Sequence, residues 1–120
     1  MTRHFSRWMR NTGLTEAALC KAVAEMEQGL IDAELGGGVV KKRVALSGRG
    51  KRGGARTLVA TNRGDRWFFM FGFEKNERDN ISARELLALQ AIAADLLKLP
   101  ASGLNAQVDT GALQEICHDS

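Results

Sequence analysis

The segment "ARTLVATNRGDRWFFMFGF", residues 55–73, decides the fold. Two apolar runs flank the polar, glycine-containing "NRGD", and this arrangement predicts a β-hairpin. The second run is almost continuously apolar, which is typical of a central strand covered on both faces. We therefore expect an antiparallel sheet built around this hairpin.

The segment "VVKKRVALS", residues 39–47, predicts a third strand before the hairpin. It begins with β-branched residues and alternates imperfectly, so one face would meet a core through Val40, Val44 and Leu46. Lys41 and Arg43 then lie on the opposite face. Lys42 falls on the apolar side, which conflicts with this register.

Helices are predicted on either side of the three strands. Thr15 is placed to cap a helix with apolar residues at helical spacing from Leu19 onward, which ends at Gly29 or at glycines 36–38. Ser82 and Glu85 have the spacing of a capping box, so a second helix is expected over 82–98. The order helix, three strands, helix predicts an α+β fold in which N-terminal helical structure packs on a small antiparallel sheet.

The two ends of the chain are less regular. Residues 1–13 suggest a short strand or a first helical turn, and residues 100–120 a C-terminal tail. In that tail, either Asp109 caps a short helix or "ALQEIC" adds an edge strand. A length of 120 residues is that of one compact domain, so we expect 1–120 to be a single domain.

Composition narrows the class of protein. Hydrophobic residues make up 44% and charged residues 26%, as in a folded globular protein, and no apolar run approaches the roughly 18–20 residues needed to span a bilayer. The N-terminus lacks the apolar region of a secretory signal, so we expect a reducing cytoplasm in which Cys20 and Cys117 are free thiols. The two histidines and two cysteines show no zinc-site spacing, and neither a metal nor a cofactor is expected.

Positive charge is concentrated in "KKRVALSGRGKRGGAR", residues 41–56, which holds seven Lys or Arg side chains and no acidic residue. The loop lacks the spacing G-x-x-x-x-G-K-[ST] and leads into a strand, which argues against a nucleotide-binding P-loop. Glycine leaves the backbone approachable, so Arg49, Lys51 and Arg52 could contact a polyanion such as nucleic acid. The alternative is a solvated hairpin tip without a ligand.

Three pieces together carry a family resemblance: "KKRVALSGRGKRGGARTLVA", "WFFMFGFEKNERDN" and "ISARELLAL". They resemble the toxin subunits of bacterial type II toxin–antitoxin pairs, the RelE/ParE superfamily, and within it the HigB-like and RelE-like branch. The most specific part is K-x-R, then G-x-G-K-x-G-G-x-R, a strand, and K-x-E-[KR]-D-N before a helix. The resemblance covers about residues 39–97.

The resemblance implies a RelE-like fold and an mRNA endoribonuclease that inhibits translation at the ribosome without a metal. In that chemistry a ribose 2′-OH attacks the adjacent phosphate. Carried over position by position, the catalytic residues would be Lys51, Arg56 and Lys75. The RNA-binding residues would be Lys41, Arg43, Arg49, Arg52, Arg78 and Phe73, the last of which could stack on a base.

The resemblance also implies partners and leaves alternatives open. The partners would be the ribosome, mRNA and a cognate antitoxin with a helix-turn-helix, and no membrane. Several relatives place a tyrosine or histidine in the site, but this chain has no tyrosine, which leaves the general acid unassigned. The alternatives are a ParE-like inhibitor of DNA gyrase and a non-catalytic module of the same fold that binds RNA or the antitoxin.

Overall fold

The structure is a computed structural model that describes residues 1–46 and 50–117. For residues 50–53 it describes the backbone alone. Four helices and four strands follow one another in the order α1(Arg3–Arg10), α2(Glu16–Glu27), β1(Ala33–Gly36), β2(Val39–Leu46), β3(Gly50–Thr61), β4(Trp67–Glu74), α3(Ala83–Lys98) and α4(Ala101–Asp109). The predicted α+β class is confirmed.

The sheet is antiparallel with the strand order β1-β2-β3-β4. The hairpin predicted from residues 55–73 is present as β3 and β4, which pair from Ala55↔Glu74 to Thr61↔Trp67. Its turn is closed by the Asn62 side chain, whose Oδ1 accepts hydrogen bonds from the Gly64 and Arg66 amides at 2.9 and 3.1 Å. The strand β1 was missed, because four residues are too few to show a period.

Two apolar clusters cover the two faces of the sheet. On one face, α1 and α2 bury Phe5, Leu19 and Met26 against Val40, Val44, Val59 and Phe69. On the other, α3 buries Leu89 and Ala93 against Val39, Leu58, Ala60 and Phe68. The prediction that β4 is a central strand is wrong, because it lies at an edge of the sheet. Its apolar run is explained by residues that enter both clusters.

Lys42 does lie on the apolar face of β2, and it is 4% exposed. Its Nζ is 3.0 Å from Oε1 of Glu25 on α2 and donates to the Leu30 carbonyl at 2.8 Å. A buried ammonium is tolerated only when it is paired and hydrogen-bonded. This ion pair removes the conflict in the predicted register and fixes α2 over β2.

The helix predicted over 82–98 is confirmed as α3. Ser82 caps it, with both hydrogen bonds of the capping box to Glu85 present. α2 is also confirmed, with Thr15 as its N-cap, and Gly29 follows its end with a φ of +89°. Within the described ranges no single helix is long and apolar enough to cross a membrane; α3 and α4 meet that criterion only as a pair bent by 114°.

The predictions for the two ends need correction. Residues 3–10 form the helix α1, capped by Thr2, so the helical alternative holds over two turns and the strand alternative is wrong. In the tail a helix ends at Asp109, where one was expected to begin. The segment after it returns to the N-terminus through a single bridge between Thr2 and Leu113. The Thr2 hydroxyl, which accepts a hydrogen bond from the Phe5 amide, is a local N-cap signal for α1, whereas the bridge between Thr2 and Leu113 depends on long-range pairing.

The expectation of free thiols is wrong: Cys20 and Cys117 form a disulfide, with Cα atoms 5.4 Å apart. Cys20 lies on α2, and the pairing of the tail with Met1 and Thr2 brings Cys117 beside it. The bond closes a loop with a sequence separation of 97 residues. It therefore ties the last described residue of the tail to the helical layer.

We predict that Cys20→Ser lowers the free energy of unfolding by about 2–5 kcal/mol without reductant, because a long closed loop restricts the unfolded chain. Denaturant unfolding with and without dithiothreitol measures this. Cys117→Ser should have the same effect, and the difference from the parent protein should vanish under reduction. Equal stability of the parent and both variants in non-reducing buffer would contradict the prediction.

Candidate active site

Strand register brings two of the predicted cationic residues together. Arg43 on β2 is the direct partner of Arg56 on β3, and Arg56 is in turn the partner of Phe73 on β4. Directly opposed residues on antiparallel strands share a face, with Cβ atoms about 4.5–5.5 Å apart. Two arginine side chains, predicted separately as RNA-binding and catalytic, therefore start from neighbouring positions on one face of the sheet.

The charges of the two arginines are neutralised to different extents. Arg43 has an ion-pair partner in Asp32, with Nε and Oδ1 3.9 Å apart, and its backbone amide donates to Oδ2 of the same carboxylate at 2.6 Å. Arg56 donates from Nη1 to the Gly54 carbonyl at 3.3 Å and has no ion-pair partner among the described residues. Like charges directly opposite one another on a sheet are destabilising. The arrangement leaves an uncompensated positive charge that an anion would satisfy.

The polar loop after β4 reaches the same face. Nζ of Lys41 lies 3.5 Å from Oδ1 of Asn80, which also accepts a hydrogen bond from the Ile81 amide at 2.9 Å. Lys75 lies in the turn that follows β4 and is exposed. The loop thus lies beside β2 as well as β4, which brings the two separated sequence motifs into one surface.

Arg78 is held by α3. Its Nη1 lies 2.6 and 2.8 Å from the two carboxylate oxygens of Glu85, and its guanidinium carbon lies 5.6 Å from the ring centroid of Phe71. The hydrogen bond from Arg78, with help from the Ser82 amide, lowers the pKa of Glu85 to about 2. Arg78 is therefore already ion-paired with Glu85, whereas Arg56 has no ion-pair partner among the described residues. The capping-box pattern identified Glu85, but not this second role.

Phe73 does not suit the stacking role assigned to it. It is 1% exposed and packs in the cluster under α3 with Leu58 and Leu89. A base can stack only on an exposed ring face, so the assignment of Phe73 to RNA binding is corrected to a core position. The apolar run that ends at Phe73 already allowed this outcome.

Three other predicted residues fall outside what is described. Arg49 lies outside the described residues. Lys51 and Arg52 belong to β3 by their backbone, and their side chains are outside the described part. The assignments of Lys51 as a catalytic residue and of Arg49 and Arg52 as RNA-binding residues stay predictions. Among the residues that are described, no group of three His, Cys, Asp or Glu side chains is arranged to hold a metal ion.

A family model described as the RelE toxin of the RelE/RelB toxin–antitoxin system matches residues 1–116. The chain therefore belongs to the RelE toxin family, and it is a toxin of a toxin–antitoxin system. Searches of curated proteins and of solved structures give no match.

We predict that Arg78→Gln raises the pKa of Glu85 from about 2 toward its ordinary value of 4.5, because the Arg78 hydrogen bond is the largest cause of the shift. A depressed folded-state pKa gives stability that is present above the unfolded value and is lost as pH falls from about 4.5 toward 2. Side-chain NMR titration of Glu85 in both proteins measures the change. An unchanged Glu85 titration in the folded variant would contradict the role of Arg78.

Proposed function

We propose that this RelE-family toxin belongs to the HigB-like and RelE-like branch and inhibits translation by cleaving mRNA at the ribosome. The observation that carries the proposal is the opposition of Arg43 and Arg56 on one face of the sheet. Such a pair costs stability and is compensated when a phosphate binds between the two groups. Lys41 and the loop of residues 74–80 extend the same face.

The proposed reaction is a transfer at phosphorus that needs no cofactor. The ribose 2′-oxygen attacks the adjacent phosphorus as its proton leaves, the bond to the 5′-oxygen breaks, and that oxygen takes a proton. The products are a 2′,3′-cyclic phosphate and a 5′-hydroxyl end. The step requires a base, a stabiliser for the negative charge on the phosphorane, and an acid.

Arg56 suits the role of stabiliser best. Its guanidinium is always charged, offers several donors, and lacks a carboxylate partner among the described residues. Lys51 is proposed as the base or a phosphate clamp; as a base it needs a pKa below the roughly 10.4 of free lysine. Lys75, exposed at the end of β4, is proposed as the acid or a second clamp.

We also propose the binding partners. Lys41, Arg43 and Arg78 would hold the RNA backbone, with Arg49 and Arg52 added from the glycine-rich loop. A cognate antitoxin, with a helix-turn-helix in its own fold, would cover this face with acidic or apolar surface, because such a surface neutralises an exposed cationic site. The ribosome and mRNA are cytoplasmic, and so is the proposed place of action.

We predict that Arg56→Ala lowers mRNA cleavage by about 10²–10³-fold, the usual effect of removing one donor that stabilises a transition state. Induction in a bacterial host, with transcript 5′ ends mapped within minutes, measures this. Stability should be unchanged or slightly higher, because the variant removes a like-charge contact. Arg63→Ala, an exposed arginine in the β3–β4 turn, is the matched control and should cleave like the parent.

The pattern of ends and growth separates the alternatives. New ends inside translated frames that vanish only in Arg56→Ala support the proposal. Growth arrest without such ends would contradict it and indicate gyrase or another bound target. Absence of arrest in the parent protein would instead indicate a module that binds RNA or the antitoxin without cleavage.

A further inference from the structure

A cleft of about 370 Å³ lies between α1 and the end of β4. We call it the α1 cleft; α1 and its C-cap line it with His4, Arg7, Trp8 and Asn11, β4 lines it with residues 71–73, and the loop after β4 lines it with Glu77 and Arg78. Two of these residues, Glu77 and Arg78, belong to the polar loop that contributes to the candidate active site. The cleft is therefore the neighbour of that site, around the edge of the sheet.

α1 carries an unusual distribution of charge. Arg3, His4, Arg7 and Arg10 are exposed, and residues 1–15 contain no acidic side chain. Arg3 in the first turn opposes the helix macrodipole, whereas Arg7 and Arg10 in the last turn are favoured by it. The spacing of three or four residues still sets these like charges beside one another, which destabilises the helix. The Arg3 guanidinium donates hydrogen bonds to the backbone carbonyls of Gly111 and Thr110. Arg7 and Arg10 have no ion-pair partner in the described part of the chain.

The walls of the α1 cleft are aromatic. The ring of His4 stacks on Phe71 with centroids 5.5 Å apart and planes inclined by 5°, and Arg78 lies over the same ring of Phe71. The indole of Trp8 lies across Gly72, where an added Cβ would collide with its six-membered ring. The absence of a side chain at position 72 thus allows Trp8 to form part of the cleft. Aromatic faces beside unpaired cations are the combination that binds single-stranded nucleic acid.

We propose that the α1 cleft is a second RNA-binding site, which holds the strand beyond the nucleotides at Arg43 and Arg56. This second site rests on the proposed function, because it requires that the protein bind RNA. Phe73, the β4 partner of Arg56, lines the cleft together with Phe71, so the cleft reaches the strand position next to the arginine pair. One RNA strand can cross the sheet face and continue over the edge of β4 onto α1.

RNA fits the cleft better than an acidic protein segment does. Arg7 lines the cleft and offers a cation to a phosphate, and Arg10, one helical turn further along α1, adds positive charge outside the cleft. The rings of His4 and Trp8 offer surfaces for bases. Glu77 is the one acidic residue among those named for the cleft, and its Oε1 is turned to the Glu74 amide, 3.3 Å away. An acidic peptide would use the charges but not the stacking surfaces.

The test is binding of a 20-nucleotide single-stranded RNA that is 2′-O-methylated throughout and so resists cleavage. Fluorescence anisotropy at several salt concentrations gives the salt dependence of the dissociation constant. Arg7→Gln should weaken binding at low salt and reduce the log–log slope by about 0.7, the contribution of one phosphate contact on a single strand. The control Arg63→Gln removes the same charge elsewhere and should keep the parent slope.

A second measurement, the fluorescence of Trp8, reports on binding in the cleft itself. In a Trp67→Phe background Trp8 is the one remaining tryptophan, and RNA bound in the cleft should quench its fluorescence. An unchanged slope, or quenching by a polyglutamate peptide but not by RNA, would overturn the second site while leaving cleavage through Arg56 intact. Failure of the parent protein to bind RNA at low salt would also overturn the second site, while the mapped transcript ends decide cleavage at the ribosome separately.

Discussion

The pairing register of β2 against β3 is the constraint on which the site depends. It opposes Arg43 to Arg56 on one face and Val44 to Ala55 on the other. A slip by one residue would bury the arginines and expose the apolar residues, so the hydrophobic core and the cationic site are specified together. The Lys42–Glu25 ion pair contributes to the same register, because only this alignment brings the Lys42 ammonium under α2. Stability of the core therefore decides where the charges of the candidate site lie.

The helices define the candidate site by the part of the sheet that they leave uncovered. α3 lies toward the β1–β2 turn, where Gln90 donates to the carbonyls of Leu35 and Gly36. The Arg43 end of the same face is approached instead by the polar loop before α3, through Lys41 and Asn80. α1 packs beside the edge strand β4 and faces outward with its basic residues. The cationic surface thus follows the boundary between the covered and uncovered parts of the sheet.

Much of the fold could be predicted because its signals are local. The capping box of Ser82 and Glu85, the Thr15 cap and the β3–β4 hairpin each fit within a few residues, and all three are confirmed. The Thr2 cap of α1 is a local signal that the prediction overlooked, whereas the edge position of β4 and the Cys20–Cys117 bond depend on contacts between distant parts of the chain. No local period contains that information.

The same distinction holds for the site. Residue type identified Arg43 and Arg56 as cationic candidates, and only strand register shows that they are opposed. Phe73 was assigned to stacking because its type allows it, whereas its burial in the core depends on how α3 covers the sheet. The pairing of Arg78 with Glu85 and the α1 cleft likewise needed the tertiary structure.

The central claim is that Arg43 and Arg56 bind the phosphate at which RNA is cut. A crystal structure of the protein on a ribosome programmed with 2′-O-methylated mRNA tests it most directly. The account predicts one phosphate of the mRNA within hydrogen-bond distance of both guanidinium groups. An mRNA bound on another face of the sheet, with both arginines facing solvent, would contradict it.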